Sequence, residues 1–100
     1  MKVGCVKEIK KQEYRVGMTP DNVKSYVNAG HTVYIEAGAG EGSGFEDSEY
    51  SAAGALLCAG SEEVWEKSDM VIKVKEPLPE EYGYFREGLV LYTYFHLAAD

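Results

Sequence analysis

The stretch MVIKVKEPLP, residues 70–79, constrains this 100-residue chain more than any other. Its first five residues are mostly apolar, rich in β-branched side chains and few in number, which predicts a short buried strand. Lys75 and Glu76 follow, and Pro77 and Pro79 stop the strand. Proline has no N–H to give a ladder, and it drives the residue before it out of helical space. Lys75 therefore stands where strand gives way to loop. In an open parallel α/β sheet that edge is where ligands bind.

The remaining elements follow from local signals. Residues 2–6 predict a first strand, and the polar stretch 7–18 is irregular, with Arg15 near its end. Thr19, Pro20 and Asp21 open a helix: a capping hydroxyl, a proline suited to the first helical position, and an acid at the positive end of the dipole. Val23, Tyr26 and Val27 form its buried stripe, and Gly30 ends it. Residues 31–37 predict a strand with Val33 and Ile35 on one face and Tyr34 and Glu36 on the other. A flexible glycine turn, 38–44, leads to a helix over 47–54 and a strand over 55–58. Ser61 is expected to cap a short acidic helix whose contacts are Val64 and Trp65. After the 70–74 strand come one or two helical turns over 79–85, a turn at Gly88, and a last strand over 89–94. This strand delivers Phe95 and His96 to its carboxyl end. Strands alternating with helices predict βαβ units. The right-handed crossover rule then gives an α/β fold with an open, doubly wound, mainly parallel sheet, Rossmann-like or flavodoxin-like.

Composition bounds the partners. A net charge of −7 excludes the basic face that nucleic-acid binding needs. No apolar run approaches the roughly 20 residues of a membrane helix. The amino terminus, MKVGCVKEIKK, alternates apolar and charged residues and lacks the apolar core of a signal peptide. Cys5 and Cys58 lie far apart in apolar stretches and read as two reduced core thiols of a cytoplasmic protein, not as a disulfide or metal pair. No metal site is expected.

On this topology three reactive side chains share one sheet edge. Arg15 follows the first strand, Lys75 ends the fourth, and His96 ends the fifth. Two cations and a histidine make a site for a small anionic substrate with proton transfer. The guanidinium of Arg15 can fork onto a carboxylate. Lys75 can place a charge near a carbonyl oxygen, and His96 can exchange a proton near neutral pH. Each residue also has a purely structural reading: Arg15 as a surface partner of Glu13, Lys75 as a solvated strand end, His96 as a packed ring. His31 reads as a structural residue, and Tyr94 as a packing residue with pocket lining as its alternative.

The glycines at 38, 40, 42 and 44 do not make a dinucleotide fingerprint. Counting from Gly38, Ser43 occupies the third glycine position, and counting from Gly40, Phe45 does. The acidic residue expected about 20 positions later is missing. These glycines are read as a means of turning the chain or of bringing backbone close to a neighbouring domain.

Three segments carry a resemblance: KEIKKQEYRVGMTP, AGHTVYIEAGAGEGSGFEDSEYSAAGA and VIKVKEPLPEEYGYFREGLVLYTYFHLAAD. Together they resemble the amino-terminal part of bacterial alanine dehydrogenases, most specifically at KVKEPLPEEYGYFREG and YFHLAAD. Nicotinamide nucleotide transhydrogenases share the early pattern but differ around HLAAD, and saccharopine dehydrogenases are more distant. The resemblance implies reversible, NAD-linked oxidative deamination of L-alanine to pyruvate and ammonium. It implies that Arg15 holds the substrate carboxylate, that Lys75 contacts the carboxylate and carbonyl region, and that His96 is the acid/base. It also implies a hexameric homo-oligomer for the full enzymes.

Family members are several times longer. Residues 1–100 therefore correspond to the first part of a substrate domain, with the NAD-binding domain and a returning carboxyl-terminal segment expected beyond them. On that basis the 100-residue chain is expected to lack dehydrogenase activity by itself, and to self-associate or be marginally stable because surface is left uncovered. Two other readings stay open: the corresponding domain of a transhydrogenase, and a non-catalytic module that binds a small carboxylate.

Overall fold

The computed structural model describes residues 1–9, 14–75 and 77–93. Five strands form one sheet: β1 (Lys2–Cys5), β2 (Thr32–Glu36), β3 (Leu56–Cys58), β4 (Met70–Lys73) and β5 (Val90–Thr93). All pairings are parallel, and the order across the sheet is β3-β2-β1-β4-β5. The chain starts at the centre, winds outward through β2 and β3, then crosses back to lay β4 on the other side of β1. Chain direction therefore reverses between β1 and β4, where open α/β sheets form their crevice.

Helices cover both faces, as the doubly wound expectation requires. On one face, α1 (Pro20–Asn28) and α2 (Asp47–Ala52) pack over Val3, Cys5, Val33, Ile35 and Ile72. On the other, α3 (Ser61–Lys67) places Val64 and Trp65 against Val6 and Val71. Gly4 makes that approach possible, because a Cβ there would meet the hydroxyl of Ser68 and Val64 Cγ1. A strand covered on both faces is expected to be apolar on both, and β1 and β4 are except for the exposed Lys2 and the buried Lys73.

Local signals hold where they are short-range. Thr19 caps α1: its Oγ1 accepts from the amide of Asn22 at 3.2 Å, and Asn22 Oδ1 accepts from the amide of Thr19 at 3.0 Å. Val23 is buried and Tyr26 and Val27 are half-buried, as the 3.6-residue period predicts. Gly54 follows α2 at φ 107°, a left-handed conformation open to glycine. His31 packs its ring on Tyr26, the structural role expected of it.

Some expectations shift. The residue capping α3 is Gly60, and Ser61 is the first helical residue. Glycine leaves the first amides without a side-chain acceptor, and none is found there. The carboxyl end of α3 is closed instead by Arg86, whose guanidinium donates to the carbonyl of Trp65 at 2.7 Å and to that of Ser68. Trp65 itself stacks on Tyr84, rings 5.7 Å apart and 10° from parallel. Strand β4 ends at Lys73, so Lys75 lies two residues past the ladder and not at its last rung. Residues 38–44 are not a loose turn. They hold a 3₁₀ turn, Glu41–Ser43, and the amide of Gly38 donates to Asp47 Oδ1 at 2.8 Å.

Candidate functional site

The segment 14–18 is fastened at three points, to β4, to α2 and to the glycine turn. Gly17 lies on β4 so closely that a Cβ would meet the carbonyl oxygen of Ile72 at 2.5 Å. The hydroxyl of Tyr50 donates to the carbonyl of Met18 at 2.7 Å. Ser43 Oγ donates to the carbonyl of Tyr14 at 2.7 Å, and Gly42 rests on the Tyr14 backbone. The glycine turn thus abuts the Arg15 segment.

Between them opens a cleft of about 370 Å³, lined by Lys7, Glu8, Tyr14, Arg15, Ala39 and Gly42 among others. A second cleft of about 380 Å³ shares Lys7 and Glu8 and extends to Glu36 and Glu81. Lys7 and Glu8 therefore form the wall common to the two. Glu36 accepts from the amide of Lys7 at 2.8 Å, and burial pushes its carboxyl above the usual carboxylate range.

Behind that wall is a buried ion cluster. Lys73, 1% exposed, sets its ammonium 3.1 Å from Glu8 Oε1 and 3.4 Å from Glu81 Oε2. Glu8 also accepts from the amide of Val74 at 2.9 Å and from that of Lys75 at 3.3 Å. Glu81 accepts from the amide of Leu78 at 3.1 Å. Two carboxylates meet one ammonium; backbone N–H groups satisfy Glu8 and one oxygen of Glu81, while Glu81 Oε2 has only the ion pair. This is the pairing that buried charge requires.

The structure relates two of the three expected site residues to Glu8, Arg15 through the cleft and Lys75 through its backbone amide. His96 lies outside the described residues, as do Glu13 and Tyr94. The expected pairing of Arg15 with Glu13 is therefore outside them too. Glu8, Lys73 and Glu81 are additional residues of the edge. Their signal in the sequence is Lys73 itself: a lysine between Ile72 and Val74 in a two-sided strand must find buried acceptors.

The described residues do not fit a dinucleotide. In a nucleotide-binding sheet the first βα turn is glycine-rich and offers its amides to the pyrophosphate. Here the turn after β1 reads Val6-Lys7-Glu8 and presents a carboxylate. The later glycines are occupied by protein: a Cβ at Gly40 would meet the Tyr50 ring at 2.6 Å, and one at Gly42 the Tyr14 carbonyl oxygen at 2.9 Å. Among the described residues no group of His, Cys, Asp and Glu is arranged to hold a metal ion, and no helix is long and apolar enough to cross a membrane. Cys5 and Cys58 are both free and buried.

Known proteins place this arrangement. The chain is 56% identical over 100 residues to "Alanine dehydrogenase" of Bacillus subtilis (strain 168) and 57% identical to "Alanine dehydrogenase 2" of Staphylococcus aureus (strain USA300). All of the chain is covered in both, but only 26% and 27% of those proteins, so it spans about a quarter of their length. Among solved structures, an L-alanine dehydrogenase superposes with a TM-score of 0.92 at 50% identity, covering 99% of this chain and 27% of that one. A transhydrogenase from Sinorhizobium meliloti gives 0.86 at 34% identity, covering 93% of this chain and 26% of that one. Residues 4–100 match the family described as "Alanine dehydrogenase/PNT, N-terminal domain". With fold and sequence in agreement over nearly every residue, the chain belongs to that family.

Proposed function

We propose that residues 1–100 are the amino-terminal part of an alanine dehydrogenase substrate domain, contributing the groups that hold pyruvate or L-alanine. The reaction is L-alanine, NAD and water to pyruvate, ammonium and NADH, and its reverse. The observation that carries this reading is the cleft between the segment after β1 and the turn after β2, lined by Arg15 and bordered by Glu8, whose carboxylate accepts from the amide of Lys75. Arg15 grips the substrate carboxylate as a two-pronged donor. Lys75 contacts the carboxylate and the carbonyl region. His96 polarises the carbonyl and moves the proton.

NAD is the hydride carrier of the family reaction, and the described residues offer it no cradle. The 100-residue chain alone is therefore inactive in this reading, and an assay of pyruvate reduction showing turnover would refute that. The protein works as a homo-oligomer in the cytoplasm; buried reduced thiols suit that compartment, and exposed Val90 and Tyr92 on the edge strand suit association. The competing reading, a transhydrogenase domain without an organic substrate, is disfavoured by the lower identity to transhydrogenase and by the HLAAD segment.

The test is a pyruvate titration of the chain followed by NMR. Shifts at the Arg15 side chain and the His96 ring, abolished by Arg15→Ala, are expected. Absence of shifts in a folded chain at saturating pyruvate would rule out a preformed half-site.

A further inference from the structure

We propose that Glu8 is the positioning residue of Lys75, and that the buried Glu8–Lys73–Glu81 cluster holds the segment that carries Lys75 at the switch-point crevice. The inference rests on the reading of Lys75 as a substrate contact.

One carboxylate fastens three consecutive residues. Glu8 Oε1 accepts from Lys73 Nζ at 3.1 Å and from the amide of Lys75 at 3.3 Å, while Oε2 accepts from the amide of Val74 at 2.9 Å. The chain is thus held where it leaves β4. The far end is held in the same manner: Glu81 accepts from the amide of Leu78 and faces the same Lys73 ammonium. Pro77 and Pro79, on either side of Leu78, have fixed φ and no N–H. The amides of Lys75 and Leu78 are therefore both held by carboxylates of one buried cluster. Glu8 reaches across from the turn after β1 and also walls the cleft that Arg15 lines.

Stability does not explain the cluster. Buried ion groups are commonly replaced by apolar side chains with no loss, or with a gain, in stability. Geometry explains it better: catalytic sites need their groups held to within a fraction of an ångström.

Amide hydrogen exchange on the ¹⁵N-labelled chain tests this without reference to catalysis. In Glu8→Gln one acceptor oxygen becomes a donor. Val74 and Lys75 donate to different oxygens, so at least one of their amides is expected to lose protection by about tenfold or more, the change for losing a hydrogen bond to a charged acceptor. Val33 and Ile35 in β2 are expected to keep theirs. Unchanged protection at both 74 and 75, or an equal loss at 33 and 35, overturns the proposal. Should Glu8→Gln fail to fold, the triple variant Glu8→Leu, Lys73→Met, Glu81→Leu decides. It is expected to fold with Val74, Lys75 and Leu78 unprotected. If it does not fold, or keeps those amides protected, the proposal falls.

Kinetics separates this from the site reading. In a full-length alanine dehydrogenase carrying these residues, Glu8→Gln is expected to raise the KM for pyruvate about tenfold or more, beyond any fall in kcat. A purely structural lesion would lower kcat through the amount of active enzyme and leave KM alone. If exchange responds at 74 or 75 while the pyruvate KM does not move, positioning by Glu8 stands and the assignment of Lys75 to pyruvate fails.

Discussion

The hydroxyl of Tyr50, in α2, donates a 2.7 Å hydrogen bond to the carbonyl of Met18, 32 residues earlier in the chain. Both side chains are buried, and the Tyr50 ring also fills the space over Gly40. One tyrosine therefore ties α2, the glycine turn and the Arg15 segment together. Tyr50→Phe keeps the packing but leaves a buried carbonyl without its donor. A loss of about 1–3 kcal/mol is expected, the penalty for such an orphaned group. Urea unfolding measures it, and a midpoint equal to wild type would show that the bond contributes nothing.

Gly17 and Gly83 should respond oppositely to alanine. At Gly17 a Cβ runs into the backbone of Ile72, which cannot swing aside, so Gly17→Ala is expected to cost about 1–3 kcal/mol through overpacking. At Gly83 a Cβ meets nothing within 4 Å and φ is not positive, so Gly83→Ala is expected to be neutral or to stabilise by about 0.5 kcal/mol. Thermal melts of the two variants side by side check the pair. Similar melting temperatures would mean the segment at Gly17 can move off the sheet freely.

Alkali should unfold the protein through its core thiol. Burial pushes Cys5 from 9.0 up to about 12. The unfolded chain releases this proton near pH 9, while the folded chain keeps it to about pH 12. Between those values the unfolded state binds fewer protons, so stability falls as pH rises. Burial also raises the Tyr50 hydroxyl, which acts in the same direction above its ordinary value of 10.0. Urea midpoints across this range are expected to decline, and less steeply in Cys5→Ala. An identical slope in that variant would exclude Cys5 as the titrating group. At neutral pH neither Cys5 nor Cys58 should react with a thiol reagent until the chain unfolds.

Arg15→Lys should not be conservative. The lysine keeps the charge but not the planar fork that matches a carboxylate. In a full-length enzyme carrying this chain, losing a hydrogen bond to a charged group corresponds to a rise of about tenfold to a hundredfold in the pyruvate KM. Steady-state kinetics with pyruvate checks it, and an unchanged KM would remove Arg15 from the substrate site.

What could be read from the sequence is what depends on neighbours a few residues apart. The Thr19-Pro20-Asp21 start of α1, the Val33/Ile35 face of β2 and the left-handed turn at Gly54 all follow from capping, period and backbone sterics. Arg15 and Lys75 were legible as edge residues because alternation of strands and helices already implies a parallel sheet with its crevice at the carboxyl ends. Ser61 misled because its hydroxyl is a good cap in isolation, whereas the close approach of α3 to Gly4 belongs to the packed sheet.

The sequence by itself determined the elements, the fold class and the family. Tertiary structure decided who meets whom at the edge. Lys73 and Glu8 are 65 residues apart, and Tyr14 and Ser43 are 29 apart. Such contacts exist only once β4 has been laid beside β1 and the turn after β2 has folded against the sheet. Local propensity acts over a few residues, while pairing of a buried charge is enforced by the low dielectric of an interior that exists only after packing.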